Sequence, residues 1–217
     1  MKRRYLFYMM AALLTAGCAE KSQDLRNGDL VFVGLPAEYE ANNSSMDAAI
    51  SAATGADNQL NITHVAMIER TQDGLWIIDA TPKKGVARRP LETFIEENKL
   101  EDGSCPEFIF KRVKGVDADA AVARAKALLG RAYDLRFLPD NDEFYCSELI
   151  QDCFLDADGE PVFDSQPMNF LAPDGTMPPY WEQLFSKLGM DVPQGVPGTN
   201  PQRLSESARL TTVPISE

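Results

Sequence analysis

Short apolar runs bounded by turn residues recur along the chain and predict β-strands. The runs lie at Leu30–Val33, Thr63–Arg70, Leu75–Thr81 and Glu107–Val113. The second and third are separated by TQDG, whose Asp-Gly pair is a strong hairpin signal. The pattern therefore predicts that these two strands are antiparallel neighbours in a sheet.

Segments with helical periodicity, bounded by helix start and stop residues, predict the helices. They lie at Ser44–Ala56, Pro90–Asn98, Val116–Gly130, from Cys146 onward, and at Pro178–Gly189. In the helix that begins at Cys146, apolar residues recur at helical spacing and place the last turns against a core. Strands mixed with short helices in this order favour the α+β class with an antiparallel sheet.

The first eighteen residues, MKRRYLFYMMAALLTAGC, have the layout of an export signal: a basic start, an apolar run over Tyr5–Ala16 and a small-residue end. The apolar run is too short to span a bilayer, which takes about 20 residues. Its end, LLTAGCAE, resembles a bacterial lipobox, in which Cys18 would become the lipidated first residue of the mature protein. The alternative is a soluble periplasmic protein from which Cys18 is removed. Both interpretations predict a location in the bacterial cell envelope.

The rest of the chain is interpreted as one domain, which suits a length of 217 residues. Residues 19–27 are predicted to be a polar linker that leads to a Gly-Asp turn. Residues 28–217 are predicted to form a single domain. From Asp156 onward the sequence is rich in Pro and Gly and is expected to end in an irregular arm.

The charge balance narrows the range of partners. The chain has 33 acidic residues against 21 Lys and Arg, a formal net charge of −12. Because such a surface repels phosphate backbones, nucleic acid is not an expected partner. With one His and no Cys-x-x-Cys, the sequence offers no ligand cluster of recognised spacing, so neither a metal nor a cofactor is predicted.

The single histidine, His64, limits the chemistry, because any Cys/His mechanism must use it. A lone histidine on an apolar strand face is also often structural. Cys146 lies at a predicted helix N-terminus, where the amides and the helix dipole favour a thiolate; a buried small residue is the alternative. Asp79 ends the strand paired with the His64 strand. Its carboxylate can orient the imidazole or accept turn amides.

The cysteine count leaves a thiol available. With Cys18 set aside, Cys105, Cys146 and Cys153 remain. Since three is odd, at least one stays free or pairs between chains. A disulfide between Cys105 and Cys153 would leave Cys146 alone, a pairing that the sequence leaves open.

Five short motifs, GDLVF, THVAMIE, IIDATPKKGVARRPLETF, LLGRAYD and FYCSELI, occur in that order between Gly28 and Gln151. Together they resemble the permuted papain-like amidases of the YaeF/YiiX group, relatives of the NlpC-type cell-wall cysteine peptidases. In that group the histidine precedes the cysteine along the chain. The resemblance implies a permuted papain-like, NlpC-like fold, with an antiparallel sheet or small barrel packed against helices.

The resemblance also implies roles for individual residues. Cys146 would be the nucleophile, His64 the base and Asp79 the group that orients the imidazole. The family usually has Glu in the third position, so Asp79 is one methylene shorter than the group it matches.

Three further residues match the motifs. Tyr145 and Tyr133 are candidates for a hydroxyl in the oxyanion site or the pocket wall. Asp29 matches the early Gly-Asp pair, where a structural turn and a role in the cleft are both open.

The expected function is that of an exported cysteine hydrolase, an amidase or peptidase acting on cell-wall peptides, peptidoglycan or similar amides. An acyltransferase or a lipid-ester hydrolase on the same fold is one alternative, because transfer and hydrolysis differ only in what reaches the acyl-enzyme. An envelope binding module that keeps the pocket without turnover is the other.

Overall fold

A six-stranded antiparallel sheet forms the centre of the fold. The structure is a computed structural model that describes residues 24–36, 39, 45–54 and 60–214. The sheet strands are β1 (Leu30–Pro36), β2 (Leu60–Thr71), β3 (Gly74–Thr81), β4 (Gly85–Pro90), β5 (Glu107–Val113) and β8 (Leu210–Thr212), in the spatial order β4-β3-β2-β1-β5-β8. A small second pair is formed by β6 (Gln166–Pro167) and β7 (Pro197–Gly198).

The helices pack on this sheet and on one another. They are α1 (Met46–Thr54), α2 (Leu91–Glu97), α3 (Ala118–Ala127), α4 (Cys146–Cys153), α5 (Pro179–Leu188) and α6 (Pro201–Ser205). The predicted α+β class with an antiparallel sheet packed against helices is confirmed. The predicted helices are present within a few residues of their expected bounds. The ends of the first, at Ser44 and Ala56, lie outside the described residues.

Both faces of the sheet are covered, which explains why the β1 run LVFV is apolar without alternation. One face packs on α2, through a cluster that includes Val31, Val33, Ala66, Ile68, Ile77, Phe94 and Ile95. The other face packs on α4 and its neighbours, through Leu30, Phe32, Val65, Met67, Ile78, Leu149 and Ile150. Side chains of alternate strand residues therefore enter two different cores.

A β-bulge interrupts the pairing of β1 with β2. Val33 pairs with His64, but the next residue, Gly34, pairs with Ile62, so Thr63 is an extra residue in β2. A bulge of this kind bends the strand and redirects the neighbouring side chain. It lies directly beside the histidine.

Two strands of the sheet were not predicted. β4 reads GVARRP, a short segment whose Gly, Pro and two Arg are typical of a loop, and β8 is three residues long. The arm expected to be irregular contains β7, α6 and β8, and β8 pairs with β5 at the edge of the sheet.

Cys153 is a free thiol buried in the core, so the disulfide considered between Cys105 and Cys153 is not formed. The predicted leader, residues 1–18 with Cys18, lies outside the described residues, as does the first part of the linker. Within the described ranges, no helix combines the length and the apolar character that crossing a bilayer requires.

The Gly-Asp turn before β1 is a structural anchor. Gly28 has φ of +74°, and a Cβ there would lie 2.8 Å from the Cβ of Ala118, so the turn requires glycine. The buried Asp29 carboxylate accepts hydrogen bonds from Arg112 Nε and NH2, both at 2.7 Å, and from the Arg26 amide at 2.8 Å. This turn is four residues from Val33, the partner of His64, or about 13 Å along the strand.

We therefore expect Asp29→Ala to lower the free energy of unfolding by about 3 kcal/mol, because a charged donor and a backbone amide lose their acceptor. Urea denaturation measures the change. Asp158→Ala, at an exposed carboxylate, is the matched control and should change stability by less than about 0.5 kcal/mol. A stable Asp29→Ala variant with altered reactivity of Cys146 would instead assign Asp29 to the cleft.

Candidate active site

The thiol of Cys146 lies at the N-terminal end of α4, as predicted. Tyr145 is the extended N-cap residue, and its carbonyl accepts the amide of Leu149 at 3.0 Å, the first hydrogen bond of the helix. The Glu148 carboxylate reaches back to the Tyr145 amide at 3.3 Å. The amide of Cys146 is thus one of the first N–H groups of the helix, which have no acceptor within it. Cys146 itself is only 4% exposed.

The loop before α4 is fixed by hydrogen bonds to a buried carboxylate and to the sheet. Asp134 accepts the amides of Arg136 at 2.8 Å and Leu138 at 2.9 Å. The Arg131 carbonyl accepts the amide of Val86 in β4 at 2.8 Å. A Cβ on Gly85 would lie 2.2 Å from that carbonyl oxygen, so β4 and the loop approach this closely only because residue 85 is glycine.

The imidazole of His64 lies between the thiol and a carboxylate. Its Nε2 forms a 2.7 Å hydrogen bond with Oδ2 of Asp79, and the imidazole lines the same cleft as the Cys146 thiol, which is close enough to raise its pKa. With Nε2 occupied, Nδ1 is the ring nitrogen available to sulfur. Asp79 is fully buried, whereas the His64 side chain is 15% exposed. The three residues predicted as a catalytic group therefore lie together in the order Cys146, His64, Asp79.

The electrostatics of this group favour a charged imidazole. Burial lowers the pKa of His64, but the hydrogen bonds to Asp79 and Cys146 and their charges outweigh burial and raise the pKa to about 10. Burial raises the pKa of Asp79, while the hydrogen bonds and charges of His64 and Arg89 prevail and hold it below its usual value. The imidazolium and the carboxylate are thus the favoured forms at neutral pH.

Arg89 belongs to this group and was missed from the sequence. Its NH2 donates to Oδ2 of Asp79 at 2.9 Å, and its NH1 donates to Oδ1. The residue lies on β4, the strand that the apolar pattern did not reveal. The sequence does contain one signal for this strand, the TPKKG turn directly after β3, because the residues that follow such a turn can pair with β3.

A cleft of about 500 Å³ opens beside the thiol. Its wall includes Cys146, His64, Tyr133 and Arg89, and its rim carries charged residues, among them Lys83 and several from the end of α2 onward. A larger cavity of about 790 Å³ lies between the β6–β7 pair and α6, and neither cysteine nor histidine lines it. The predicted nucleophile and base therefore line the smaller cleft and not the larger cavity.

A small cavity of about 40 Å³ lies on another side of Cys146. Its lining is mostly apolar and includes Ile50, Phe137, Phe170 and Trp181. The thiol therefore faces a cleft lined by both polar and apolar residues and, beside it, a restricted apolar recess.

The two predicted tyrosines have different surroundings. Tyr133 lines both the cleft and the apolar recess, and among the described residues its hydroxyl has only a weak contact, 3.5 Å from the Met46 sulfur. Burial, followed by the charge of Cys146, raises the pKa of Tyr133 well above its usual value, so the hydroxyl stays protonated. The Tyr145 hydroxyl instead accepts a hydrogen bond from the Thr199 amide at 3.0 Å, so this hydroxyl binds the C-terminal segment. Asp29 lies in the turn at the far end of β1.

The C-terminal segment is hydrogen-bonded to the elements that carry the site, which the sequence did not reveal. The Thr199 hydroxyl hydrogen-bonds Ser147, the residue after Cys146, at 2.9 Å. The side-chain oxygen of Gln202 accepts the amide of Ile62, beside the bulge, at 2.9 Å. Thr199 and Gln202 thus connect the start of α4 with the part of β2 that carries His64.

Comparisons with known proteins agree with this geometry. A family described as "Permuted papain-like amidase enzyme, YaeF/YiiX, C92 family" matches residues 24–214. The uncharacterized protein YiiX of Escherichia coli strain K12 is 26% identical over 192 residues, which cover 87% of this chain and 85% of that protein.

A solved structure has the same fold. The crystal structure described as metalloprotein YiiX from Escherichia coli O157:H7 superposes with a TM-score of 0.66 at 24% identity. The match covers 89% of this chain and 98% of that one. Within the described part of the present chain, no three His, Cys, Asp or Glu side chains form a group that would hold a metal ion.

The two free cysteines within the described ranges, Cys146 and Cys153, provide a test of the pairing between Cys146 and His64. At about pH 6, where an ordinary thiol is protonated, we expect iodoacetamide to alkylate Cys146 and to spare Cys153. Burial and the charge of Asp152, partly offset by Arg124, raise the pKa of Cys153 to about 12, which makes it an internal control. His64→Gln should slow the reaction of Cys146 about tenfold or more.

Peptide mass spectrometry of the alkylated protein assigns the label to each cysteine, and circular dichroism verifies that His64→Gln is folded. Equal labelling of Cys146 and Cys153, or an unchanged rate in folded His64→Gln, would contradict the pairing.

Proposed function

Because the chain belongs to the permuted papain-like amidase family of the YaeF/YiiX type, we propose that it is a cysteine amidase or peptidase in which Cys146 attacks an amide carbonyl. The observation that carries the proposal is the His64 imidazole, hydrogen-bonded to Asp79 at 2.7 Å and lining the same cleft as the Cys146 thiol. A non-catalytic binding module has no need of a buried thiol paired with an oriented imidazole. This argues against the binding alternative.

The proposed reaction begins with the imidazolium and thiolate forms of His64 and Cys146. The sulfur attacks the carbonyl carbon, and the negative charge that forms on oxygen is stabilised by the Cys146 amide at the start of α4. Such a donor contributes about 3 kcal/mol. The protonated hydroxyl of Tyr133 is the second proposed donor, because it lines the cleft and its one recorded contact within the described residues is weak.

Collapse of this intermediate breaks the carbon–nitrogen bond. His64 donates its proton to the leaving amine, and the acyl group stays on Cys146 as a thioester. His64, now neutral, then takes a proton from water, which attacks the thioester and releases the carboxylic acid. In this step the carbon–sulfur bond breaks and sulfur leaves as the thiolate, while His64 keeps the proton taken from water, so the thiolate–imidazolium pair is regenerated.

The substrate is proposed to be a peptide or similar amide of the cell envelope, with peptidoglycan as the first candidate. The cleft of about 500 Å³ suits a few residues of a peptide. Acyl transfer or ester hydrolysis is the second candidate, and the observation in its favour is the apolar recess beside Cys146. With about 40 Å³, the recess suits a short apolar group.

The E. coli O157:H7 protein of the same fold is described as a metalloprotein. Because the described residues of the present chain include no suitable group of ligands, we do not extend a metal to this site. The proposed mechanism uses protein groups and water alone.

Turnover tests the proposal. We expect the protein to cleave some member of a panel of peptidoglycan-derived peptides, acyl amides and acyl esters, with a thioester on Cys146 detectable by mass spectrometry after rapid acid quenching. Cys146→Ala should lower kcat by about a thousandfold or more. Cys153→Ala, at the other free cysteine, is the matched control and should retain activity. Turnover that survives in Cys146→Ala would contradict the mechanism.

The same assay has a defined pH dependence. His64 must be protonated to donate to the leaving group, and its folded-state pKa is raised to about 10. Activity should therefore persist through pH 8 to 9 and fall as the pH rises through about 10. A fall near the ordinary histidine value of about 6.5 would show that the imidazolium is not stabilised in this way.

We also propose that the leader exports the protein and that Cys18 is lipidated. In a bacterial host expressing the full chain, a fatty-acid label should appear on the protein in the membrane fraction and disappear in Cys18→Ser. An unlabelled, processed protein in the periplasm would indicate plain signal cleavage, and an unprocessed cytoplasmic protein would contradict export altogether.

A further inference from the structure

The carboxylate of Asp79 is held on two sides. His64 Nε2 and Arg89 NH2 both bind Oδ2, at 2.7 and 2.9 Å, and Arg89 NH1 binds Oδ1. No other hydrogen bond to this carboxylate is present among the described residues. The plane of the carboxylate is therefore determined by one imidazole and one guanidinium.

A guanidinium can fix that plane where other cations cannot. Its donors form a rigid, planar fork that matches a carboxylate, so a two-point contact constrains rotation as well as position. The contact is buried: Asp79 is fully inaccessible and the Arg89 side chain is 8% exposed. A single hydrogen bond from His64 would leave the carboxylate free to rotate about its last side-chain bond.

The sheet places Arg89 at the right position. In the β3–β4 pairing, Asp79 lies opposite Ala87 and Arg89 opposite Ile77, so the two charged residues are diagonal neighbours on one face. Phe94 of α2 packs against both ends of the group, with its ring centroid 5.2 Å from Arg89 Cζ and 6.1 Å from the His64 ring centroid.

The outer edge of Arg89 forms an ion pair without hydrogen-bond geometry. Its Nε lies 2.8 Å from Oε2 of Glu97 at the end of α2, and Glu97 also pairs with Lys84 on the rim of the cleft. Arg89 thus connects the buried carboxylate to a residue whose side chain is 38% exposed.

We propose that Arg89 is a positioning residue of the active site, which holds the Asp79 carboxylate in the orientation that directs His64 toward Cys146. This inference rests on the proposed function, because it assigns Arg89 to the same reaction. Arg89 lies behind His64 and Asp79, and its effect on the reaction passes through them. A purely structural role, in which Arg89 only neutralises a buried carboxylate, predicts lost stability and an unchanged thiol.

The test uses Arg89→Met and Arg89→Lys in the full chain, with Arg88→Met as the matched control. Arg88, the adjacent residue, stacks on Trp76 at 3.7 Å and pairs with Glu69, away from the thiol. The first readout is the rate of Cys146 alkylation by iodoacetamide as a function of pH, which needs no substrate. The second is kcat and KM for any amide that the wild type cleaves.

In Arg89→Met we expect alkylation of Cys146 at about pH 6 to slow about tenfold or more, the size of effect typical of a residue that orients a functional side chain. The profile should move to higher pH, because a misdirected imidazole stabilises the thiolate less, and kcat should fall while KM changes little. Arg89→Lys, which keeps the charge without the fork, should lie between Arg89→Met and the wild type. Arg88→Met should keep the wild-type profile.

A folded Arg89→Met variant with the wild-type alkylation profile and kcat would overturn the proposal. If Arg89→Met does not fold, Arg89→Lys decides: a displaced profile supports positioning by the fork, and a wild-type profile overturns it. The proposed function fails separately, when wild-type protein cleaves no amide. Alkylation still decides the role of Arg89 in that case, because it reports on the thiol directly.

Discussion

The hydrogen bond between Asp79 and His64 is the contact on which the candidate site depends. It occupies Nε2 of the one imidazole in the chain, and so directs the other ring nitrogen toward the thiol and favours the charged form. The contact is made across the β2–β3 hairpin. When the pairing of the two strands is extended by one residue, Asp79 lies next to the part of β2 that carries His64. The hairpin is thus the smallest unit that brings together His64, the proposed base, and the carboxylate that binds it.

The bulge in β2 connects this hairpin with Cys146, the proposed nucleophile. His64 stacks on Phe94, which belongs to the core on the α2 face, while Cys146 starts α4 on the opposite face of the sheet. A regular strand would commit the side chain to one face only. Because Thr63 is inserted beside His64, the strand bends at this point, and the imidazole can touch residues that pack on both sides.

The sequence was sufficient for the parts of the site that have a local signal. The Asp-Gly turn predicts the β2–β3 hairpin, and the amphipathic pattern places Cys146 at the start of a helix. For Arg89 the only local signal is the TPKKG turn before its strand, because the strand is six residues long and has neither an apolar run nor alternation. Strand β4 forms through pairing with β3 across a short turn and through closure against Arg131, and neither contact leaves a periodic trace in the sequence.

The C-terminal segment was missed for the same reason. Its Pro and Gly residues predict an irregular arm, yet Thr199 and Gln202 bind the first turn of α4 and the bulged part of β2. The composition of such a segment predicts its local backbone conformation. It gives no information on which distant backbone amides the segment will hydrogen-bond.

The family resemblance raised one physical problem that the structure resolves: the third residue is an aspartate, one methylene shorter than the usual glutamate. The short side chain reaches His64 at 2.7 Å because β2 and β3 are directly hydrogen-bonded neighbours.

A fully buried carboxylate needs opposite charges or hydrogen-bond donors around it, since an unpaired charge in a core costs several kcal/mol. Groups of alternating charge supply these partners. The charged groups form a row. It starts at the proposed Cys146 thiolate and continues through the His64 imidazolium, the Asp79 carboxylate and the Arg89 guanidinium to the Glu97 carboxylate. Every interior member has an opposite charge on each side, so no member is left unpaired. In a low-dielectric interior such a series stabilises each charge more than an isolated pair does. An imidazolium that stays charged beside the thiol follows from this row.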